Sequence, residues 1–534
     1  MSATPSLRTK AAHGVLWSAI QIWTVRATTA GAFIVIGRQL QPAEFGLVAL
    51  AMSVIGVLTL LSDSGLATFI VRQKDLDERT RSTAFWTSMG IAVVLAALLA
   101  LLATPVSAVF GTPALAPVLR VLSLGVVLTG LNSVPTALLR REMRFKSLAV
   151  RGTIATVSGS VVAIVLALMG AGVWALVAQS LLRGLISVVI IWTSAHWFPK
   201  QLPHPATSRA MLSFGTKLLS IDLLIQARDR GEEFVLAGIS GATTLGYWSV
   251  ATRLMRIIQE TGSSVISSVT TPTFAKLQDD RPRLYRAYET SMTAAGMVMF
   301  PAMLFLTVTS TELIPFLLGK QWATTATVAQ ITTLTAVLGV FSYFDRQVVV
   351  AINRLRPEIV LVAVIVATHL GLTALTASHG LVAVALALFA RTAVFLPIRQ
   401  IVLHRVAGVP YRCLVQPMRV LLAALIMAGV VVLELQFTGG LPTWASLLVA
   451  AVTAGVVYLA ALLLVARPVV REFGGDLRRL RGGGRKNAAS PPEPGAVANP
   501  AGDAPDGETL ETSLEENSPA GVADVRDGKQ VSRG

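Results

Sequence analysis

What this chain has little of says most about it. Charged residues make up only 14% of its 534 positions, against roughly 25% in soluble globular domains, while 53% are hydrophobic and the mean hydropathy is +0.66. So little charge cannot build a water-compatible surface; a soluble protein is excluded, and lipid is the expected solvent. The one cysteine, Cys413, excludes an intrachain disulfide framework and a cysteine-built metal cage. Six histidines without metal-ligand spacing, no HExxH and no GxxxxGK[ST] phosphate loop leave no metal centre, no nucleotide hydrolysis by that route and no cofactor expected. Acids are scarce as well, 29 against 45 bases, for a net charge of +16. Nucleic-acid binders carry such an excess on a polar surface. Here it falls in short clusters between apolar runs, so nucleic acid is not an expected partner.

Those runs lie at roughly 12–36, 45–71, 83–109, 116–138, 148–169, 172–194, 211–239, 243–272, 288–311, 325–350, 357–377, 380–402, 414–436 and 442–466. Each is long enough for a helix to cross a bilayer, which takes about 20 residues. They predict an all-α integral membrane protein with about fourteen transmembrane helices. The first run has no small-residue cleavage site after it and reads as a retained span. Basic residues cluster in alternate connections: Arg8 and Lys10 before span 1, Arg72 to Arg81 after span 2, Arg140 to Lys146 after span 4, and Lys200 and Arg209 after span 6. The pattern continues with Lys276 to Arg286 after span 8, Arg354 and Arg356 after span 10, and Arg399, Arg405 and Arg412 after span 12. The other connections hold only Arg38 and Lys320. By the positive-inside rule both termini are expected in the cytoplasm.

Two halves of the chain resemble each other at an offset of about 200 to 210 residues. Phe45-Gly46-Leu47 opens span 2 and Leu245-Gly246-Tyr247 opens span 8; Thr87-Ser88-Met89 returns as Thr290-Ser291-Met292, and Arg144-Phe145-Lys146 as Arg354-Leu355-Arg356. Gly172 stands eleven residues before Arg183, as Gly380 does before Arg391. Six spans per copy is an even number, so the copies are parallel repeats, an arrangement that places a transport site between two halves. The expected units are an N-terminal lobe over 1–203, a C-terminal lobe over 204–408, two extra helices over 409–470 and a disordered cytoplasmic tail over 471–534. The tail begins basic, which suits anionic membrane lipids, and then turns rich in Pro, Gly, Ala and Glu. Docking of glycan-assembly proteins is its alternative use.

Ionisable groups inside hydrocarbon cost at least about 2.5 kcal/mol each, so they face a lumen or a partner. Span 7 carries Lys217, Asp222, Arg228, Asp229, Arg230, Glu232 and Glu233, with Asp222, Gln226, Asp229 and Glu233 on one helical face. Span 8 aligns Ser249, Arg253, Arg256 and Glu260; span 6 aligns Gln179, Ser180, Arg183 and Ser187; span 1 brings Ser18, Gln21 and Arg26; span 10 brings Asp345 and Arg346. Arg256 with Glu260, and Arg230 with Glu233, read equally well as structural ion pairs. Arg183 and Arg391, near mid-span without an acid within a turn, resist that account. The candidate substrate-binding residues are therefore Arg26, Arg183, Arg253, Arg346 and Arg391, since guanidinium groups bind phosphate and carboxylate in bidentate fashion. Asp63, Asp229 and Glu233 are the candidate ion-coupling acids.

The stretches GRQLQPAEFG (37–46), Asp63-Ser64-Gly65-Leu66, Ser82-Thr83-Ala84-Phe85-Trp86, ALLRREMRFKSLA (137–149), GAGVWALVAQ (170–179) and Leu318-Gly319-Lys320-Gln321-Trp322 carry a family resemblance. Over about 12–410 the chain resembles the polysaccharide flippases, of Wzx or teichuronic-acid-exporter type, in the multidrug/oligosaccharidyl-lipid/polysaccharide exporter superfamily. The resemblance implies two six-helix lobes plus two helices in a bacterial plasma membrane. It implies translocation of a polyprenyl-diphosphate-linked oligosaccharide by alternating access, driven by ion gradients or membrane potential. Gly37, Gly46 and Trp174 match its motifs and read as packing and turn positions.

A lipid II flippase or a drug/cation antiporter of the same superfamily is the nearest alternative. A membrane glycan polymerase or glycosyltransferase would need catalytic carboxylates, usually in a large outer loop, and the outer connections are short, with few acids beyond Glu44, Glu312 and Glu434. A non-transporting scaffold would tolerate changes to the span charges. Replacing Arg183 and Arg391 together by Ala is expected to trap lipid-linked repeat units on the cytoplasmic side. Normal surface glycan in that strain would exclude the assigned role.

Overall fold

The computed structural model describes residues 7–63, 66–73, 76–469 and 471. The side chains of Ser18, Gln21, Asp63, Lys217 and Asp222, and the expected tail beyond Arg471, lie outside the described residues. Fifteen α-helices and no strand occur among the described residues: α1 (Leu7–Gln39), α2 (Pro42–Asp63), α3 (Leu66–Arg72), α4 (Glu78–Val109), α5 (Leu115–Arg141), α6 (Phe145–Leu168), α7 (Val173–Ala195), α8 (Pro205–Lys276), α9 (Arg281–Leu318), α10 (Ala323–Val340), α11 (Asp345–Ala351), α12 (Leu355–Ala377), α13 (Leu381–Ala407), α14 (Val415–Phe437) and α15 (Thr443–Val465). The 72-residue α8 is broken at Gly241, whose φ of 83° is open to glycine but strained for other residues. Spans 7 and 8 are its two halves. With α2 and α3 making up span 2, and α10 and α11 span 10, the helices answer to the fourteen expected spans. Twelve stretches among the described residues are long and apolar enough to cross a membrane.

Small side chains set the helix spacing. On α6, Ala155, Gly159, Ala163 and Ala167 recur every fourth residue and are all buried, and on α4 Ala92, Ala96 and Ala103 do the same work. Lipid offers no hydrophobic gain for helix association, so close backbone contact through small residues supplies it. Large apolar side chains such as Leu101, Leu375, Leu459 and Leu464 point outward instead, as a lipid-facing surface requires.

The family-like stretches turn out to be clamps at the two ends of the bundle. At one end, Arg38 donates from Nε to Leu317 O (2.8 Å) and from Nη2 to Phe316 O (2.7 Å), satisfying carbonyls left open at the end of α9. Trp322 Nε1 donates to Gly37 O at 2.8 Å. Beside them α2 and the second half of α8 touch backbone to backbone. A Cβ on Gly46 would fall inside the Ala242 carbonyl oxygen, and one on Gly246 inside that of Pro42. At the opposite end, Ser82 Oγ accepts from Lys200 N and Thr83 Oγ1 from His204 N, each at 3.1 Å, and Trp197 Nε1 donates to Glu78 at 3.0 Å. The STAFW stretch thus grips the connection between α7 and α8. Gly37 and Gly46 pack as expected, while Trp174 is exposed.

Matching turns support the repeat. Met143 (φ 54°) and Asn353 (φ 56°) take the left-handed conformation just before Arg144-Phe145-Lys146 and Arg354-Leu355-Arg356, and Gly172 (φ 53°) and Gly380 (φ 99°) do so ahead of Arg183 and Arg391. A Cβ at Gly46 or Gly246 has nowhere to go, so Gly46→Ala is expected to destabilise the protein by about 1–3 kcal/mol, the cost of overpacking. Thermal unfolding in detergent measures it, with Gly90→Ala, where the space is open, as control.

Candidate functional site

Two polar cavities meet at α8. The first, about 340 Å³, is lined from α1, α2, α6, α7 and both halves of α8. Helical spacing turns Ser249, Arg253 and Arg256 of α8 and Gln179, Ser180 and Arg183 of α7 into it, with Phe33 and Phe45 as apolar wall. Its charges are unequally matched. Arg230 Nη1 donates to Glu233 Oε2 at 3.0 Å, and Ser53 of α2 donates to the same oxygen, so the expected ion pair is present and is tied to α2. Among the described residues Arg183 has no hydrogen-bond or ion-pair partner. Arg253 lies over the Phe33 ring at 5.0 Å, and Arg256 makes only a 3.5 Å contact to Thr252 Oγ1. Among the described residues no ion pair joins any of these three guanidinium groups to a carboxylate, and Glu260 one to two turns along α8 is the acid whose charge reaches Arg253.

The second cavity, about 450 Å³, lies among α8, α10, α12 and α13 and shares Glu233 and Arg256 with the first. Arg391 enters it from α13 and donates from Nη1 to His369 Nδ1 at 2.9 Å. His369 Nε2 stands 3.2 Å from Glu232 Oε2, at ion-pair distance but off the line of a hydrogen bond. Arg228 Nε donates to Asp229 Oδ1 at 2.8 Å, and both remain partly exposed.

The structure thus brings Arg183, Arg253 and Glu233 together in one cavity, and Arg391, Asp229 and Glu233 in the other. Arg183 and Arg391, equivalent in the repeat, do not share a wall. Arg26 lines neither cavity and has its guanidinium 5.9 Å from the Trp23 ring; Arg346 is exposed and lines neither. The Asp63 side chain falls outside the described residues. His369 was missed because a lone histidine in an apolar run shows no spacing to a partner, and only the fold sets it between α8 and α13.

Arg399 corrects the reading of the basic connections. It is not a loop charge but lies inside α13, 16% exposed, with Nε 2.8 Å from Asp345 Oδ2 and Nη2 2.9 Å from Glu358 Oε1. Tyr288 donates to Asp345 at 2.7 Å, and Gln400 Nε2 donates to Phe341 O at 2.9 Å. Arg399 already falls inside the apolar run 380–402, and α13 carries that run on to Ala407. Among the described residues no group of three or more His, Cys, Asp or Glu could hold a metal ion.

A bundle of membrane-crossing helices around polar, cation-rich cavities defines a membrane transporter. The chain belongs to the polysaccharide biosynthesis protein family, whose model matches residues 35–327, more than half of its length. It is 26% identical over 339 residues to the lipopolysaccharide biosynthesis protein WzxC of Escherichia coli (strain K12), covering 62% of this chain and 68% of that one. With the succinoglycan biosynthesis transport protein ExoT of Rhizobium meliloti (strain 1021) it shares 28% identity over 289 residues, covering 54% of this chain and 58% of ExoT, less than two thirds of its length. In fold it resembles the lipid II flippase MurJ in an inward closed conformation, with TM-score 0.69 and 15% identity, over 85% of this chain and 100% of that one. An inward-facing multidrug resistance MATE family transporter of the MOP superfamily gives TM-score 0.55 at 15% identity, over 73% of this chain and 98% of that one. Of these relatives ExoT is named a transport protein, and the fold is the one seen in a flippase and in a multidrug transporter.

Removing Arg399 leaves two carboxylates in the bundle without their cation. Arg399→Met is expected to cost about 3–5 kcal/mol, read as a lowered unfolding midpoint in detergent. Adding Asp345→Asn and Glu358→Gln is expected to restore part of that loss.

Proposed function

We propose that this protein moves a polyprenyl-diphosphate-linked oligosaccharide from the inner to the outer leaflet of a bacterial plasma membrane for cell-surface polysaccharide synthesis. The observation that carries the reading is the first cavity, which Arg183, Arg253 and Arg256 line with no ion pair to a carboxylate among the described residues. All three side chains are exposed where they line this cavity, so an anion that enters meets their guanidinium groups without first displacing a carboxylate. A diphosphate brings two phosphoryl groups whose oxygens match guanidinium forks. The hydroxyl and amide groups of Ser160, Gln179, Ser180 and Ser249 suit the polar head next to it.

The lobes 1–203 and 204–408 move against one another in this reading, with 409–470 as a peripheral pair of helices. Both termini are cytoplasmic by the positive-inside rule, which puts the Gly46–Gly246 contact at the outer ends of α2 and α8. The conformation is then closed outward, its cavities served from the cytoplasmic leaflet. Asp229 and Glu233 are the acids we assign to ion coupling; Glu233 lines both cavities and ties α8 to α2 through Ser53.

Transport of a fluorescent undecaprenyl-diphosphate oligosaccharide in proteoliposomes tests the reading. Arg183→Ala and Arg253→Ala are each expected to weaken uptake about tenfold, the worth of one charge-assisted hydrogen bond. Efflux of a small organic cation with no movement of the diphosphate would replace this reading with the antiporter one.

A further inference from the structure

Arginine has no acceptor atom, so the 2.9 Å contact between Arg391 Nη1 and His369 Nδ1 has a single reading. Nδ1 is the unprotonated acceptor, and the imidazole carries its hydrogen on Nε2, the nitrogen facing Glu232 at 3.2 Å. The arrangement needs a neutral ring. A second proton could go only to Nδ1, where it would meet the Arg391 guanidinium donor to donor and cation to cation. The same proton would turn the contact with Glu232 into a full ion pair.

We infer that the second cavity holds a proton-gated anion site, in which neutral His369 tethers Arg391 to α12 and protonated His369 frees its guanidinium for a phosphate or carboxylate oxygen. Arg391 has somewhere to go, because it already lines a cavity of about 450 Å³. Its remaining ties are weak: a 3.4 Å contact to Ile365 O and a 3.3 Å one to Thr392 Oγ1, with Nε buried and unbonded.

The charges around His369 keep the switch local. From α8, Glu232 faces Nε2, Arg228 is engaged by Asp229, and Glu233 by Arg230. Arg256 lies further along the same helix. From α13, Arg399 is held by Asp345 of α11 and by Glu358 on the same helix as His369. Histidine is the side chain whose charge ordinarily changes between pH 5 and 8, so protons on one side of the membrane could set how strongly the lumen holds an anion.

The site rests on the proposed substrate for its ligand but not for its switch, and two measurements separate them. In full-length protein in nanodiscs, ¹⁵N-histidine spectra identify His369 by the resonance lost in His369→Gln. An Nε2–H tautomer at pH 8.5 that gains a second proton by pH 5 supports the switch; a ring that stays in one state throughout overturns it, whatever the substrate. Undecaprenyl diphosphate is the binding probe, compared between wild type and His369→Gln at each pH so that titration of the lipid itself cancels. Gln can accept from Arg391 and donate to Glu232 but cannot take up a proton. Wild type is expected to bind about tenfold more tightly relative to His369→Gln at pH 5.5 than at pH 8, with the gain lost in Arg391→Gln. Equal pH profiles in wild type and His369→Gln would overturn the anion site. Absence of binding by any protein at any pH, beside a titrating His369, would overturn the diphosphate reading and the anion site while leaving the histidine switch supported.

Discussion

The approach of α2 to the second half of α8 is the constraint on which the rest depends. Two glycines, Gly46 and Gly246, let backbones meet where any Cβ would overlap a carbonyl oxygen. In lipid this contact has no hydrophobic drive behind it, and its strength comes from dispersion and from the fit of bare backbone. Beside it one clamp closes: Arg38 and Trp322 join α1 to the end of α9, while Glu44 Oε2 accepts from Gln41 N at the start of α2. With one end of the bundle held this tightly, the polar faces of α7 and α8 enclose a lumen and do not splay into lipid.

Charge is then handled in two opposite ways within one membrane protein. Arg399 is fully answered, by Asp345 and Glu358 with Tyr288 and Gln400 supporting them, and holds α9, α11, α12 and α13 together. Arg183, Arg253 and Arg256 face a cavity with no ion pair to a carboxylate among the described residues. The first arrangement uses low dielectric to strengthen a lock; the second leaves exposed guanidinium groups open to a ligand. Arg391 stands between the two cases, since its partner is a neutral imidazole and not an acid, and that partner can change its charge.

Much of this was legible along the chain. Fourteen apolar runs, the alternation of basic connections and the recurring short stretches led to the span count, which the helices match, and the i, i+4, i+7 spacing of Ser249, Arg253 and Arg256 led to one wall of the first cavity. Arg399 misled because it stands near the end of its apolar run beside Arg405, and the carboxylates that hold it, Asp345 and Glu358, are more than forty residues away in sequence. Arg346 misled in the other direction: it is exposed, and its neighbour Asp345 is the buried member.

By itself, the sequence determined the solvent, the number of crossings and the residues that cannot face lipid, because those follow from summed transfer energies and from periodicity along a single helix. Only the tertiary structure decided which charges meet. Whether an arginine is answered by a carboxylate, a histidine or nothing depends on atoms contributed by helices far apart in sequence, as His369 and Glu232 are, and no local spacing encodes that distance. The division of the arginines into a lock, two lumens and a histidine-held member is therefore a property of the packed bundle.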